Sequence, residues 1–500
     1  MISRTKTVWL ILLTALTVAL VAGCNDTLRQ FIVPLPAPGG DPCNGCTAHA
    51  VVLSQNPAGN GSMMHIDVLG DTEVGIVSTG PSPVFFGKNN NRVFITNSDK
   101  TVTSYIGLLS NALNPNIVTL PATSSGSLAG AASSSTNFYL ADSGSNDVTQ
   151  ISANSLAVTA TVPVGSQPVA VVGAANSSKI YVINHGSDNV TVISTTDNTV
   201  LGNIGLGAGA QPVWGVMSSD GSHVYIVNQG NGTVSAIDTL LDLVIANIPV
   251  GLSAASSPNF AVFDAKNQRV WVNNTGDNTV SVIKANDIDL AAVPQVLPRK
   301  ITDIILTAAP TSLTVLGDGT RAYAALGGCP SGTNHINLLD ASHLPLCAGN
   351  RVSVIDAVAL RETGAITVAP GAVSVDSSTD SSRVYVVGAH DTTTIKDNMH
   401  NPSCTVAPCT TTGGGCIALP CLPGPPLPDR TFSTPSMDII RAATGVVFHP
   451  PVDVSVSSVP PSFHTPQQDF NCVPALDPNF NKTVPLPCPA QTSFMVRMIP

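Results

Sequence analysis

Seven short β-branched runs along this 500-residue chain each hold one aromatic residue: Phe94, Tyr139, Tyr181, Tyr225, Trp271, Tyr323 and Tyr385. In five of the seven a proline lies 13 residues upstream, at Pro81, Pro168, Pro212, Pro258 and Pro310, and Gly126 and Ala372 hold that place in the other two. Successive aromatics are 45, 42, 44, 46, 52 and 62 residues apart. A self-similar period of that length is the mark of a repeat protein, and it suits a four-stranded unit better than a helical pair.

The third copy shows the unit. Gln167 to Val172 is a short apolar strand, Lys179 to Asn184 a second, Val190 to Ile193 an alternating third and Val200 to Ile204 a fourth, with turn formers between them. Four strands of four to six residues bounded by turns make one propeller blade. Gly and Pro, 41 and 39 residues, are spread through the copies, and long runs of Ala, Leu, Glu and Lys are absent, so helix should be scarce.

Several submotifs recur in a fixed order. Phe94-Ile95-Thr96-Asn97, Tyr225-Ile226-Val227-Asn228 and Trp271-Val272-Asn273-Asn274 precede a polar turn. Val234-Ser235-Ala236-Ile237-Asp238, Val280-Ser281-Val282-Ile283 and Val352-Ser353-Val354-Ile355-Asp356 follow it, and Pro163-Val164-Gly165 and Pro249-Val250-Gly251 end the fourth strand. This pattern resembles the YVTN-type β-propeller repeat over about residues 63 to 390. The resemblance implies an all-β propeller of four-stranded antiparallel blades. Relatives with such repeats include lactonase-like enzymes and quinoprotein dehydrogenases, but no motif here carries either activity across. The recurring aromatic is expected to fill the wedge between neighbouring blades, and Asn97, Asn184, Asn228 and Asn274 to cap turns by bonding to backbone.

Counting first strands near Pro81, Gly126, Pro168, Pro212, Pro258, Pro310 and Ala372 predicts seven blades. Residues 49 to 78 read as the outer part of a blade, at Ala50 to Ser54, Met64 to Val68 and Glu73 to Ser78. Lending these N-terminal strands to the last copy would close the ring and hide two sheet edges. Eight blades follow instead if Ser436 to Ile440 and Thr444 to Phe448 complete the last copy and Phe494 to Met498 begins the N-terminal one.

The address is legible upstream. Arg4 and Lys6 precede an uncharged apolar stretch, Val8 to Ala22, too short for a confident membrane span. It ends in Val21-Ala22-Gly23-Cys24, which resembles a bacterial lipobox; the resemblance implies cleavage before Cys24 and its lipidation, with more than one acyl chain for stable anchoring. Asn25 stands where Asp would favour inner-membrane retention, so the outer membrane is preferred. The expected organisation is a signal peptide at 1–23, an anchor linker at 24–48, the propeller at 49–400 and a Pro/Cys-rich segment at 401–500 that partly covers or completes it. Removal of the signal leaves 19 Lys+Arg against 31 Asp+Glu, which disfavours nucleic acid as a partner. Only 10% of residues are charged, so Asn, Ser and Thr must supply the wet surface.

Ten further cysteines in an exported chain are disulfide candidates, of open connectivity, and they fall in clusters along the sequence: Cys43 and Cys46; Cys329 and Cys347; Cys404, Cys409, Cys416 and Cys421; Cys472 and Cys488. Cys43-Asn44-Gly45-Cys46 is followed by Thr47, not the His of a c-type haem site, and neither GxSxG nor a P-loop occurs. Two copies break the spacing in the same place. Residues 327 to 350 enlarge the connection between second and third strands of copy six, and residues 389 to about 436 that of copy seven, so both should stand over one mouth of the channel. They carry His335, His343, His390 and Asp391, the candidate binding residues; a metal site drawn from them has no recognised ligand spacing. The expected function is a lipid-anchored envelope module that binds a protein or small molecule on that face, with no cofactor and no catalytic residue assigned. A lactonase-like or quinoprotein-like enzyme and a multi-copy structural surface protein are the alternatives.

Overall fold

The computed structural model describes residues 49–55, 60–68, 72–89, 92–106, 114–132, 136–173, 178–285, 288–329, 349–369, 371–395, 400–401, 422–423, 430–448 and 492–499. They form eight four-stranded antiparallel sheets arranged as a ring, with no helix among the described residues. The seven copies supply blades one to seven. The eighth, the closing blade, takes its innermost strand Thr492–Ile499 from the C-terminal end and the other three from His49–Gln55, Asn60–Asp67 and Thr72–Pro81.

Eight blades therefore replace the seven first counted, and the N-terminal strands belong to a blade of their own. Copy seven needs no donated strands. Arg383–Ile395 pairs with Arg430–Arg441, and Val446–Phe448 completes that sheet. Thr492–Ile499 then pairs along His49–Gln55 and packs beside the first strands of blade seven, Ala372–Ser377, and of blade one, Pro83–Asn89. The ring is thus shut by strand pairing between the two chain ends, and no edge is left between blades seven and one.

Six of the eight inner strands, those of blades one to five and seven, begin with the same device. Ser82, Gly126, Gln167, Gln211, Ser257 and Gly371 have positive φ just before it, and a register irregularity follows at Pro83/Phe85, Ser127/Gly130, Pro168/Ala170, Pro212/Trp214, Pro258/Phe260 and Ala372/Ser374. A bulge bends and twists the strand locally, and here it turns the chain from the rim of one blade to the axis side of the next.

The seven repeated aromatics are the seven largest fully buried side chains described. Each packs forward onto the next blade, as expected. Phe94 stacks on Phe138 at 4.5 Å with a 9° interplanar angle, Tyr225 joins Ala261 and Val270, and Trp271 joins Leu313 and Ala322. At the rim the ring tip is matched by the turn between third and fourth strands of the next blade. Tyr181 Oη donates to Asp242 Oδ1 at 2.9 Å and Tyr139 Oη to Asn198 Oδ1 at 2.8 Å; Phe94 and Trp271, which lack a hydroxyl, are matched instead by Leu156 and Leu360. All four turn residues have left-handed backbones, φ 53° to 60°.

A cation two residues before the aromatic reinforces the seam. Lys179 Nζ donates to Thr239 O at 3.1 Å, Arg269 Nη1 to Ala357 O at 2.6 Å and Arg321 Nη1 to Ala442 O, all carbonyls one residue beyond the next blade's third strand. Lys179 also meets Asp242 at 2.6 Å.

Where a third strand faces the hairpin side, a polar ladder crosses the blade. Asn184 Nδ2 donates to Thr191 Oγ1 at 2.9 Å, which donates to Asn203 Oδ1 at 2.7 Å; Asn228, Ser235 and Asn247 repeat this at 2.8 and 2.7 Å, and Asn274, Ser281 and Asp303 at 2.9 and 2.5 Å. Asn97 alone of the four expected caps also reaches backbone, at Thr101 O. The asparagines tie strands together rather than cap turns: each Nδ2 donates to a hydroxyl on the third strand. The glycine of the Val-Gly ending is required here: a Cβ on Gly165 would lie 2.7 Å from the Asn184 amide, and Gly251 N donates to Ser281 Oγ at 2.8 Å.

The closing blade departs from the repeat. Val51 occupies the place of the aromatic, and His49 and His65 fill the space beside it, rings 4.4 Å apart and both buried. Burial, and secondarily His49, holds His65 down to about 4. Neither His65 nitrogen has a hydrogen-bond partner among the described residues.

Two outcomes follow. A double-mutant cycle on Tyr181→Phe and Asp242→Ala, read by denaturant unfolding, should give a coupling of about 1–2 kcal/mol, whereas Phe94→Tyr, facing Leu156, should destabilise. For His65 the folded value lies below the unfolded 6.5, so its contribution is complete above pH 6.5 and is lost as the pH falls toward 4. This amounts to about 3 kcal/mol, and His65→Val should flatten that acid limb in pH-dependent melting.

Candidate functional site: the channel and the hairpin face

The alternation of strands gives the ring two unlike faces. Turns between second and third strands emerge on one, the hairpin face; connections between first and second and between third and fourth strands emerge on the other, the base. Blade seven marks the hairpin face. Its second and third strands pair as far as Ile395 and Arg430, well past the ladder position at Asp438, which accepts Ala369 N at 2.6 Å. The pair forms an arm standing off the ring, with a short parallel bridge, His400–Asn401 to Leu422–Pro423, in its tip region.

The arm has a bulge at its root. Gly388 pairs with Ser436 and Asp391 with Thr434, leaving Ala389 and His390 opposite the single residue Pro435. Proline has no N–H to give the ladder, and bulges re-aim side chains at rims and beside sites. The backbone of His390 and Asp391 is thereby placed where the arm leaves the ring. Their side chains, with His335 and His343, lie outside the described residues, so the four are not brought together here. Residues 330–348 of the blade-six insertion lie outside as well.

Of the cysteines, Cys329 alone is described. It is half-buried after strand Arg321–Leu326 and packs against the core cluster that includes Val373 of blade seven. Cys24, Cys43, Cys46, Cys347, Cys404, Cys409, Cys416, Cys421, Cys472 and Cys488 lie outside the described residues. Among the described residues no group of three or more His, Cys, Asp or Glu could hold a metal ion.

The channel holds a constellation that sequence reading missed. Arg497, on the inner strand of the closing blade, places its guanidinium 5.7 Å from the ring centre of Phe260 on the inner strand of blade five. Those strands are three blades apart, so the side chain crosses the channel. Phe260 in turn meets Trp214 of blade four at 5.4 Å, and Trp214 Nε1 donates to Ala261 O at 3.1 Å.

Burial lowers the Arg497 guanidinium from its ordinary range, and the carboxylate of Asp376 opposes that shift. Asp376 is fixed by Met498 N at 2.9 Å, Ser377 N at 2.9 Å and Thr314 Oγ1 at 3.2 Å. Ser312 and Ser374 do the same for the open inner edges, taking Val375 N and Val496 N at 3.2 Å each. Side chains of blades six and seven thus satisfy the axis-facing backbone of the blade that follows each. The available signal was slight: one Arg in an apolar C-terminal run, Phe494 to Met498, outside the repeats.

No protein-family profile matches the chain, and no curated protein sequence matches it. Solved structures do. The dihydro-heme d1 dehydrogenase NirN, solved in complex with DHE, aligns with a TM-score of 0.52 at 12% identity over 73% of each chain. A putative 6-phosphogluconolactonase from Bacteroides fragilis aligns at 0.49 and 12% identity, over 67% of this chain and 99% of that one. Virginiamycin B lyase from Staphylococcus aureus aligns at 0.44 and 11%, over 61% and 90%. At such identities the likeness is one of fold, a β-propeller.

Arg497→Ala should remove a shielded cation–π contact worth about 1–2 kcal/mol and open the channel beside Trp214. Acrylamide quenching of tryptophan fluorescence in a chain carrying Trp9→Phe checks this, since Trp271 is fully buried. Quenching should rise in the variant.

Proposed function

We propose that this chain is a lipid-anchored envelope module of the YVTN-repeat kind that binds a partner on the hairpin face. The observation that carries the reading is the blade-seven arm. It interrupts a ring that is otherwise regular, it stands on one face, and its root is bulged at His390. Long connections on a rigid scaffold are where propellers and barrels place recognition. The channel below is crossed by Arg497, which favours a partner that rests on the mouth over one that threads the ring. Cys329 sits at the foot of the neighbouring insertion, where a bond to Cys347 would hold that loop beside the arm. Anchoring rests on the Val21-Ala22-Gly23-Cys24 segment, and the preference for the outer membrane on Asn25.

The test is a quadruple variant, His335→Ala, His343→Ala, His390→Ala and Asp391→Ala, compared with a chain in which residues 389–435 are replaced by a two-residue turn. Retrieval of specific partners from envelope extract should fall at least tenfold in the quadruple variant and vanish in the trimmed chain. Partners retained by both would move the site off this face.

A second reading, an enzyme acting on a small anion in the channel, is favoured by the Arg497 guanidinium placed over Phe260 in the channel. Turnover of a lactone or oxidisable small molecule that Arg497→Met abolishes would put it first.

A further inference from the structure

Twelve large apolar side chains are exposed among the described residues, and nine of them lie at the base: Val200 and Leu201, Leu240, Leu241 and Leu243, Val293 and Ile301, Val358, and Val446. They occupy the turns between third and fourth strands, or the first three residues of the fourth strand, in five consecutive blades from three to seven. Only Ile117, Leu252 and Ile305 lie toward the hairpin face. Leu240 is 87% exposed, Val293 99% and Val358 69%. So one-sided a distribution exceeds what scattered surface residues show.

The turn tips are built in a particular way. Asp238 Oδ1 accepts the N–H of Leu240 and of Leu241 at 2.9 Å each; Asp356 Oδ1 accepts those of Val358 and Ala359 at 2.9 and 2.8 Å; Asp289 Oδ1 accepts those of Ala291 and Ala292 at 2.9 and 3.1 Å. The acid in each turn is spent on backbone, and the backbone N–H groups of the tip already have acceptors. That is the condition for placing a turn in a medium poor in water. Arg299 and Arg361 are exposed at the starts of their fourth strands. Apolar turn tips whose backbone is already satisfied are the footprint of an interfacial contact with a lipid surface.

The tether points the same way. His49 begins the second strand of the closing blade and Ile499 ends its first, so the segment leading back to Cys24 leaves the ring at the base. The 24 residues between Cys24 and His49 can extend about 80 Å, so their length alone selects no orientation; their exit and the apolar tips together do. We propose that the base of the ring, through the turns of blades three to seven, lies on the lipid bilayer surface and presents the blade-seven arm outward. This rests on the reading of Cys24 as the acylated anchor.

The test uses the full chain purified from membranes and placed on vesicles of phosphatidylethanolamine and phosphatidylglycerol. The mass of its N-terminal peptide reports acylation separately. Hydrogen–deuterium exchange should slow at least fivefold at residues 238–243, 289–296 and 356–361, and stay unchanged at the hairpin-face turns 98–100, 229–232 and 275–278. Leu240→Glu with Leu241→Glu and Val358→Glu should restore exchange at the base turns while leaving acylation and melting temperature intact. Equal exchange with and without vesicles, or slowing at the hairpin face, overturns the proposal. So does slowing that appears without vesicles together with a dimer mass in sedimentation, which would make a second copy the occupant. A peptide mass without lipid overturns the anchor reading alone, since vesicles added to the unacylated chain still read the base turns.

Discussion

The structure depends on one contact repeated around the ring: in seven of the eight blades an aromatic side chain is buried against the next blade, and in four of them its tip is matched by a turn there. Blades stacked about an axis diverge outward, and a flat aromatic fills the widening gap with the largest apolar area a side chain offers. Burial alone is non-directional. The hydroxyl of Tyr139 or Tyr181 meeting Asn198 or Asp242, and the leucines that face Phe94 and Trp271, add a directional match that sets blade order and tilt.

Much of this was legible because the signal repeats. The aromatic, the proline before the inner strand and the Asn-Ser/Thr pairs recur in register, so seven weak readings reinforce one another. The cation before the aromatic was equally available at Arg92, Lys179, Arg269, Arg321 and Arg383, but basic residues at strand starts look like ordinary solvated ends until a partner carbonyl is seen. The eighth blade was harder. Its inner strand lies more than 400 residues from its neighbours, and it lacks the aromatic, so only the leftover strand fragments hinted at it.

The candidate site was the least legible part. The arm's position followed from broken spacing, yet the bulge at Ala389 and His390 depends on how two strands slip past each other, which composition does not encode. Arg497 belongs to no repeat. Its partner Phe260 reads as an ordinary core residue, and only the ring's geometry brings the two across the axis. The low charge density also finds its account here: the Asn, Thr and Ser that replace charged residues form the ladders that join strands within a blade, so polarity is spent inside the sheets as well as at the surface.

Because the eighth sheet joins Thr492–Ile499 to His49–Gln55, the first strands to leave a ribosome or translocon have no inner neighbour until nearly the whole chain has followed. The entropy of bringing such distant segments together grows only slowly with separation, but the waiting time is set by synthesis. During that interval an apolar edge stays open to pairing with other chains. Folding of this ring therefore favours a chaperone that shields the leading strands until the closing strand arrives.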